Sequence, residues 1–295
     1  MRKYPLLIAF IAGLSLTLAG CSSTNSADST NGKIEVIASF YPLAFVAQEI
    51  GGSLVTVENL VPPGVEPHDL ELTPSQVASL SKASIVFYIK GLQPAVDKAI
   101  TQSTIRNTVD VSSLEELPGV DPQIVGNDPH IWNDPIKYSE VASIFAEKIS
   151  QIDAQNSSTY TTNLANFLTQ LKELNNKFTD GLSRCVRNEI VTSHSAFGYM
   201  AKRYGLIQIG IAGLSPEAEP SPKRLNEIAL LIKRDKITTV FFEALLSPKI
   251  AETLASDLKI KTAVLDPIEG TSEGQTYFSI MESNLAALRE ALACK

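Results

Sequence analysis

Apolar and polar positions repeat along residues 33–295 in one unit: a short continuous apolar run, a turn, then an apolar stripe at helical spacing. Residues 34–39 are a β-branched apolar run. The next segment, 41–50, carries Leu43, Val46 and Ile50 on one helical face and stops at Gly51-Gly52. Residues 55–60 predict a second strand. Residues 83–89 predict a third, too continuously apolar for a two-faced edge strand and suited to a sheet covered by helices. Thr73-Pro74 caps and opens a helix on Val77 and Leu80, and 104–109 is a candidate fourth strand. Asp134-Pro135 opens a longer helix whose buried set is Ile136, Val141, Ile144, Phe145, Ile149 and Ile152.

From Ser157 to Leu182 the apolar positions Tyr160, Leu164, Phe167, Leu168, Leu171, Leu174 and Phe178 recur with no Pro or Gly before Gly181. They predict one helix about 35–40 Å long. Its heptads are few and irregular, which disfavours the competing reading of a coiled-coil dimer helix. The second half then repeats the unit, with strands at 189–193, 206–211, 238–242 and 262–265 and helices at 196–203, 247–258 and 277–292. Ser221-Pro222 caps a further helix on Leu225, Ile228, Leu231 and Ile232. Strands alternating with helical patterns imply parallel sheets with helices on both faces. The expected fold is α/β, with two lobes that each hold a roughly four-stranded parallel sheet flanked by helices. The N-terminal lobe spans 33–155, one long rigid helix over 156–182 joins the lobes, and the C-terminal lobe spans 183–295.

A chain of 295 residues, 44% hydrophobic and 19% charged, is long enough for two globular domains. Its net charge is −7, and without Arg2 and Lys3 the balance is 23 basic against 32 acidic residues, net −9. An acidic surface without a basic stripe argues against nucleic acid. Arg2 and Lys3 precede an apolar stretch over 6–18, shorter than the roughly 20 residues of a membrane span. It ends in Leu18-Ala19-Gly20-Cys21, which resembles a bacterial lipobox in which Cys21 is lipidated and becomes the first mature residue. An ordinary secretory signal that happens to contain a cysteine is the alternative. Residues 1–20 are then a lipoprotein leader and 21–32 a flexible tether. The body is expected on the extracytoplasmic face of the bacterial cell membrane, in the periplasm or at the cell surface. Cysteines there oxidise, so Cys185 and Cys294, too isolated to be good metal ligands, read as a disulfide or else as two buried thiols.

Only three histidines occur: His194 stands where the apolar run of VTSHSAFGYMAKRYGL ends, and His68 in PPGVEPHDLELTPSQ and His130 in NDPHIWNDP lie in polar, Pro-punctuated turns. Asp266 ends another strand in VLDPIEG. The four lie 62, 64 and 72 residues apart, far outside zinc-finger spacing, so a shared site must assemble between the lobes at the carboxyl ends of parallel strands. Three neutral imidazoles and a carboxylate fill a tetrahedral Zn²⁺ shell, and nitrogen-rich ligation disfavours Mg²⁺, Ca²⁺ and Mn²⁺. Glu243 also ends a strand and competes for the fourth position or orients a ligand from outside it. Asp128 and Asp134 read as turn-shaping residues, and Asp266 before Pro267 also reads as an Asx turn.

These motifs, with AGLSPEAEPSPKRLNEI, resemble the metal-binding lipoproteins of bacterial zinc and manganese ABC importers, the cluster 9 type of solute-binding protein, over essentially the whole mature chain. The resemblance implies two lobes joined by a long rigid helix, with the ion in the cleft and the ligand positions on His68, His130, His194 and Asp266; some zinc members use water or a nearby glutamate where Asp266 would bind. Manganese-specific members commonly carry Glu at the third position; His194 looks zinc-type. Many zinc members also carry a His- and acid-rich loop between the first two ligands. The corresponding residues 117–127 have acids and glycine but no histidine tract.

The expected function is non-enzymatic: capture of Zn²⁺ outside the membrane by a lipid-anchored monomer that delivers it to a membrane permease driven by a cytoplasmic ATPase. Mn²⁺ is the alternative cargo. Release is expected through loop and lobe adjustments, since the connecting helix is stiff. A secreted zinc hydrolase would need an open water position and a base; no HExxH is present and Glu243 is the obvious candidate base. A surface adhesin is a further rival, for which no aromatic cluster or repeated module speaks.

Overall fold

Each half of the chain builds its own parallel sheet. The computed structural model describes residues 32–117, 127–272 and 274–295. The leader, Cys21, tether residues 22–31 and most of the 117–127 connection lie outside the described residues. In the first half, β1 (Ile34–Ala38), α1 (Tyr41–Gly51), β2 (Val55–Asn59), α2 (Pro74–Leu80), β3 (Ile85–Tyr88), α3 (Pro94–Gln102) and β4 (Thr108–Asp110) form a sheet of order β2-β1-β3-β4. After α4 (Pro135–Ile152) and α5 (Ser157–Leu182), the second half contains β5 (Glu189–Thr192), α6 (Gly198–Tyr204), β6 (Ile207–Gly210), α7 (Pro222–Asp235), β7 (Thr239–Phe242), α8 (Lys249–Leu258), β8 (Lys261–Val264) and α9 (Tyr277–Leu292). Its sheet has the same order, β6-β5-β7-β8, and every pairing in both sheets is parallel.

Two lobes of this kind, linked through α4 and α5, agree with the sequence pattern. Asp134 caps α4 by accepting the Ile136 N–H at 2.9 Å, with Pro135 in the first turn. α5 runs 26 residues, about 39 Å, and buries Tyr160, Phe167, Leu171, Leu174, Phe178 and Leu182 along one stripe. Near its end Gly181 lets α9 approach: a Cβ there would lie 3.1 Å from Leu285 Cδ1. The fourth strand begins later than expected, at Thr108. α3 is not announced by the periodicity, because only Val96 and Ala99 of its nine residues are buried.

Successive residues of a strand face opposite sides of its sheet, and β5 shows what that does to the core. Ile190 joins a large apolar cluster that runs from Val36 and Phe87 of the first sheet through Phe145, Phe167 and Phe178 to Phe241, Tyr277 and Leu288. Val191 faces a smaller cluster with Ile228, Ile232, Val240 and Leu254. One core therefore passes through both lobes, and parting them would expose side chains that each contribute about 1.5–3 kcal/mol by burial. Residues Lys33–Lys295 form a single compact unit. Among the described residues no helix is long and apolar enough to cross a membrane.

Cys185 and Cys294 are joined in a disulfide across a sequence separation of 109 residues. It ties the tail after α9 to the chain after α5, beside main-chain hydrogen bonds from Val186 and Arg187 N–H to the Leu292 carbonyl at 3.0 and 3.2 Å. Closing so long a loop restricts the unfolded chain. Replacing both cysteines by serine is expected to lower unfolding stability by about 2–5 kcal/mol. Urea denaturation checks this, and a reductant should then shift the midpoint of the wild type but not that of the variant.

Candidate metal centre

Four side chains from four loops meet at the carboxyl ends of the two sheets, where open parallel sheets leave a crevice. His68 follows β2, His130 precedes α4, His194 follows β5 by two residues, and Glu269 lies between β8 and α9. One donor atom of each lies within 4.8 Å of the others, and all four residues are buried. Glu269 Oε1 is 3.2 Å from His68 Nε2, 3.1 Å from His130 Nε2 and 3.4 Å from His194 Nε2, and the last two nitrogens are 3.3 Å apart. A tetrahedral ion with bonds of 2.0–2.2 Å has edges of about 3.3 Å between donors. These four edges fit that shell.

The far sides of two rings are committed. Asp128 Oδ1 sits 2.8 Å from His130 Nδ1 and also accepts the His130 N–H at 2.9 Å. Glu243 Oε1 does the same for His194, at 2.7 Å from Nδ1 and 3.1 Å from the main-chain N. Each carboxylate accepts a hydrogen bond from Nδ1–H, so the Nε2 lone pair of a neutral ring faces the cluster. Glu243, read in sequence as a competitor or an orienting group, touches His194 from behind. Asp128 shapes its turn and in addition holds the ring. Gly198 makes room for it, since a Cβ there would lie 2.4 Å from Asp128 Oδ2.

The carboxylate that reaches the imidazoles is Glu269, and Asp266, expected in that corner, is absent from the cluster. The Asp266 carboxylate accepts the Ile268 N–H at 2.8 Å and so closes an Asx turn. Its backbone is gripped by Asn284 of α9, whose Oδ1 accepts the Asp266 N–H at 2.9 Å and whose Nδ2 donates to its carbonyl at 2.7 Å. Trp132 Nε1 donates to the Pro267 carbonyl at 2.6 Å. Ile268 then takes φ 62°, a left-handed conformation costly for a β-branched residue, with its side chain fully buried. That turn swings Glu269 inward. Both acids were visible in DPIEG, but no sequence signal announces a positive φ at an isoleucine.

Charge in this pocket is unbalanced without a cation. Burial opposes protonation of His130 and His194. Asp128 with Glu269 outweighs it at His130, and Glu243 with Glu269 at His194, so His130 is raised above the ordinary 6.5 and His194 well above it. Burial would raise the Glu269 carboxyl, but His194, His130 and His68 hold it well below its ordinary value. Burial, reinforced by Glu269 and Glu243, pushes Asp266 up to about 6 despite the Ile268 N–H. The metal-free pocket thus draws protons to the nitrogens that a cation would occupy.

Known proteins place the chain. It is 33% identical over 311 aligned positions to the zinc-binding lipoprotein AdcA of Streptococcus pneumoniae R6, covering 98% of this chain and 61% of the relative. It is 32% identical to the high-affinity zinc uptake system protein ZnuA of Bacillus subtilis, covering 97% of both. The chain thus spans less than two thirds of the pneumococcal relative's length and nearly all of the Bacillus one. The solved Zn(II)-bound ZnuA-like domain of pneumococcal AdcA superposes with a TM-score of 0.76 at 31% identity, over 88% of this chain and 99% of that one. With residues 36–291 matching the family described as ZnuA, zinc-uptake complex component A, periplasmic, the chain belongs to that family.

Proposed function

We propose that the protein captures one Zn²⁺ outside the membrane through His68, His130, His194 and Glu269, and delivers it to an ABC permease. In this reading Cys21 carries the lipid that keeps a monomeric carrier near its partner, and the permease's ATPase drives import. The observation that carries the reading is that three Nε2 atoms and one carboxylate oxygen gather with four of their mutual separations at 3.1–3.4 Å, the donor–donor edge of a tetrahedral zinc shell. Two nitrogens whose other ring positions already serve as donors face each other at 3.3 Å, which a shared cation between them relieves. Nitrogen donors with one carboxylate suit a borderline ion better than oxygen-seeking Mn²⁺, Mg²⁺ or Ca²⁺. A shell closed by four protein donors leaves no corner for a catalytic water, which favours a carrier over a zinc hydrolase.

Native mass spectrometry with Zn²⁺ and Mn²⁺ in competition is expected to find one retained zinc. It should be lost from H194A and E269A and kept by D266N, whose turn-closing acceptor survives. Preferential Mn²⁺ retention would reverse the metal assignment, and a D266N variant as empty as E269A would return Asp266 to the shell.

Zinc must displace the protons that the raised His130 and His194 hold above pH 6.5. Affinity is therefore expected to rise with pH through and beyond neutrality, with protons released on binding; calorimetry in buffers of different ionisation enthalpy reads both. The same two groups stabilise the metal-free fold fully below the unfolded value near 6.5, and that contribution fades as pH rises through their raised values.

A further inference from the structure

Asp128 holds the His130 ring from behind, and one turn of the second lobe holds Asp128. Strand β5 ends at Thr192, His194 follows it by two residues, and α6 begins at Gly198. Gly198 and Tyr199 both meet Asp128. A Cβ on Gly198 would lie 2.4 Å from Asp128 Oδ2, so a bare Cα is what lets the carboxylate in. Tyr199 Oη donates to the Asp128 carbonyl at 3.0 Å. The same hydroxyl oxygen accepts the Glu116 N–H at 3.0 Å and the Leu117 N–H at 3.4 Å. The Asp128 N–H in turn donates to the Leu117 carbonyl at 3.0 Å. A single buried hydroxyl thus joins both ends of the 117–127 connection.

These bonds leave Asp128 little play. Its N–H, its carbonyl and its carboxylate each have a partner, and the residue is 1% exposed. Burial pushes the Tyr199 hydroxyl up to about 12, although the Leu117 and Glu116 N–H groups pull the other way. It therefore keeps its proton at neutral pH and can donate. The second lobe grips the chain beyond His130 as well. Asn133 Nδ2 donates to the Ala196 carbonyl at 3.0 Å, and Arg203 of α6 pairs with Asp134. His194 and the groups that fix the chain on both sides of His130 therefore come from one stretch, residues 194–203. The two Nε2 atoms stand 3.3 Å apart, and that separation depends on how this stretch seats the His130 chain.

Taking the cluster as the zinc site proposed above, we infer that Tyr199 is a positioning residue of the metal centre. Its hydroxyl seats Asp128, Asp128 orients His130, and His130 is thereby placed against His194. Among the described residues the hydroxyl bonds to none of the four donors, so it acts only through Asp128. Y199F keeps the ring and its packing and removes the hydroxyl alone. The Asp128 carbonyl and two N–H groups then lose their partner where little water reaches, and the chain shifts to recover one. Asp128 and the His130 ring shift with it.

Y204F is the control. Tyr204 stands on the same helix, but its hydroxyl donates to Asn175 Oδ1 of α5 at 3.2 Å. In competition with a chelator, the full chain carrying Y199F is expected to bind zinc on the order of 10-fold more weakly than wild type, as loss of an outer partner of a ligating histidine implies. Y204F should bind as wild type does. Co²⁺ in place of zinc separates positioning from stability, because its visible absorption is far more intense in a tetrahedral site than in a larger shell. Y199F should lose part of that absorption and Y204F none. G198A, which presses on Asp128 Oδ2 from the same turn, should show the same loss, and it decides the matter if Y199F does not fold. A wild-type affinity and Co²⁺ spectrum in Y199F, an unchanged spectrum in G198A, or equal losses in Y199F and Y204F would overturn the positioning role while leaving the zinc site standing. Wild-type protein that takes up neither ion would remove the site and the role together.

Discussion

Three imidazole nitrogens within 3.4 Å of one carboxylate oxygen, gathered in a buried crevice, are the arrangement on which the rest of this molecule depends. Neutral, the rings aim lone pairs at each other and at an anion, and the carboxylates around them outweigh burial and favour a positive charge on those nitrogens. The fold supplies what holds the donors in this state. Asp128 and Glu243 fix two rings from behind, the Asx turn at Asp266 and the left-handed Ile268 aim Glu269, and a core shared by both lobes keeps the two sheets facing each other.

The same construction ties the two lobes to each other. α4 and α5 pack on each other and α5 packs on α9, so the second lobe is seated on the linker and not suspended from it. The polar bonds across the lobes reach from Tyr199, Tyr277 and Trp132 to main-chain carbonyls, contacts that wide domain opening would break together.

Much of the fold was legible because helix and strand impose different periods on apolar residues. The stripe from Tyr160 to Leu182 and the caps at Asp134-Pro135 and Ser221-Pro222 are local facts, and α4, α5 and α7 begin where those caps lie. α3 escaped because two buried side chains make no stripe, and β4 was displaced because a three-residue edge strand offers little pattern. The histidines stood out through scarcity and through their place in or beside polar turns, and their rings do gather, with centroids 5.2–6.0 Å apart.

The chain by itself determined the alternation of strands and helices, the long linker, the family and the three histidines, since composition, period and motif are properties of neighbours in sequence. The choice of carboxylate was decided only in three dimensions. Asp266 and Glu269 stand three residues apart in one turn, and which of them faces the imidazoles depends on Asn284 and Trp132, which grip that turn from distant elements. The bonds that Tyr199 and Tyr277 make to the chain on either side of His130 belong to the same level. Hydrogen bonds between residues more than sixty positions apart leave no periodic trace in the sequence that makes them.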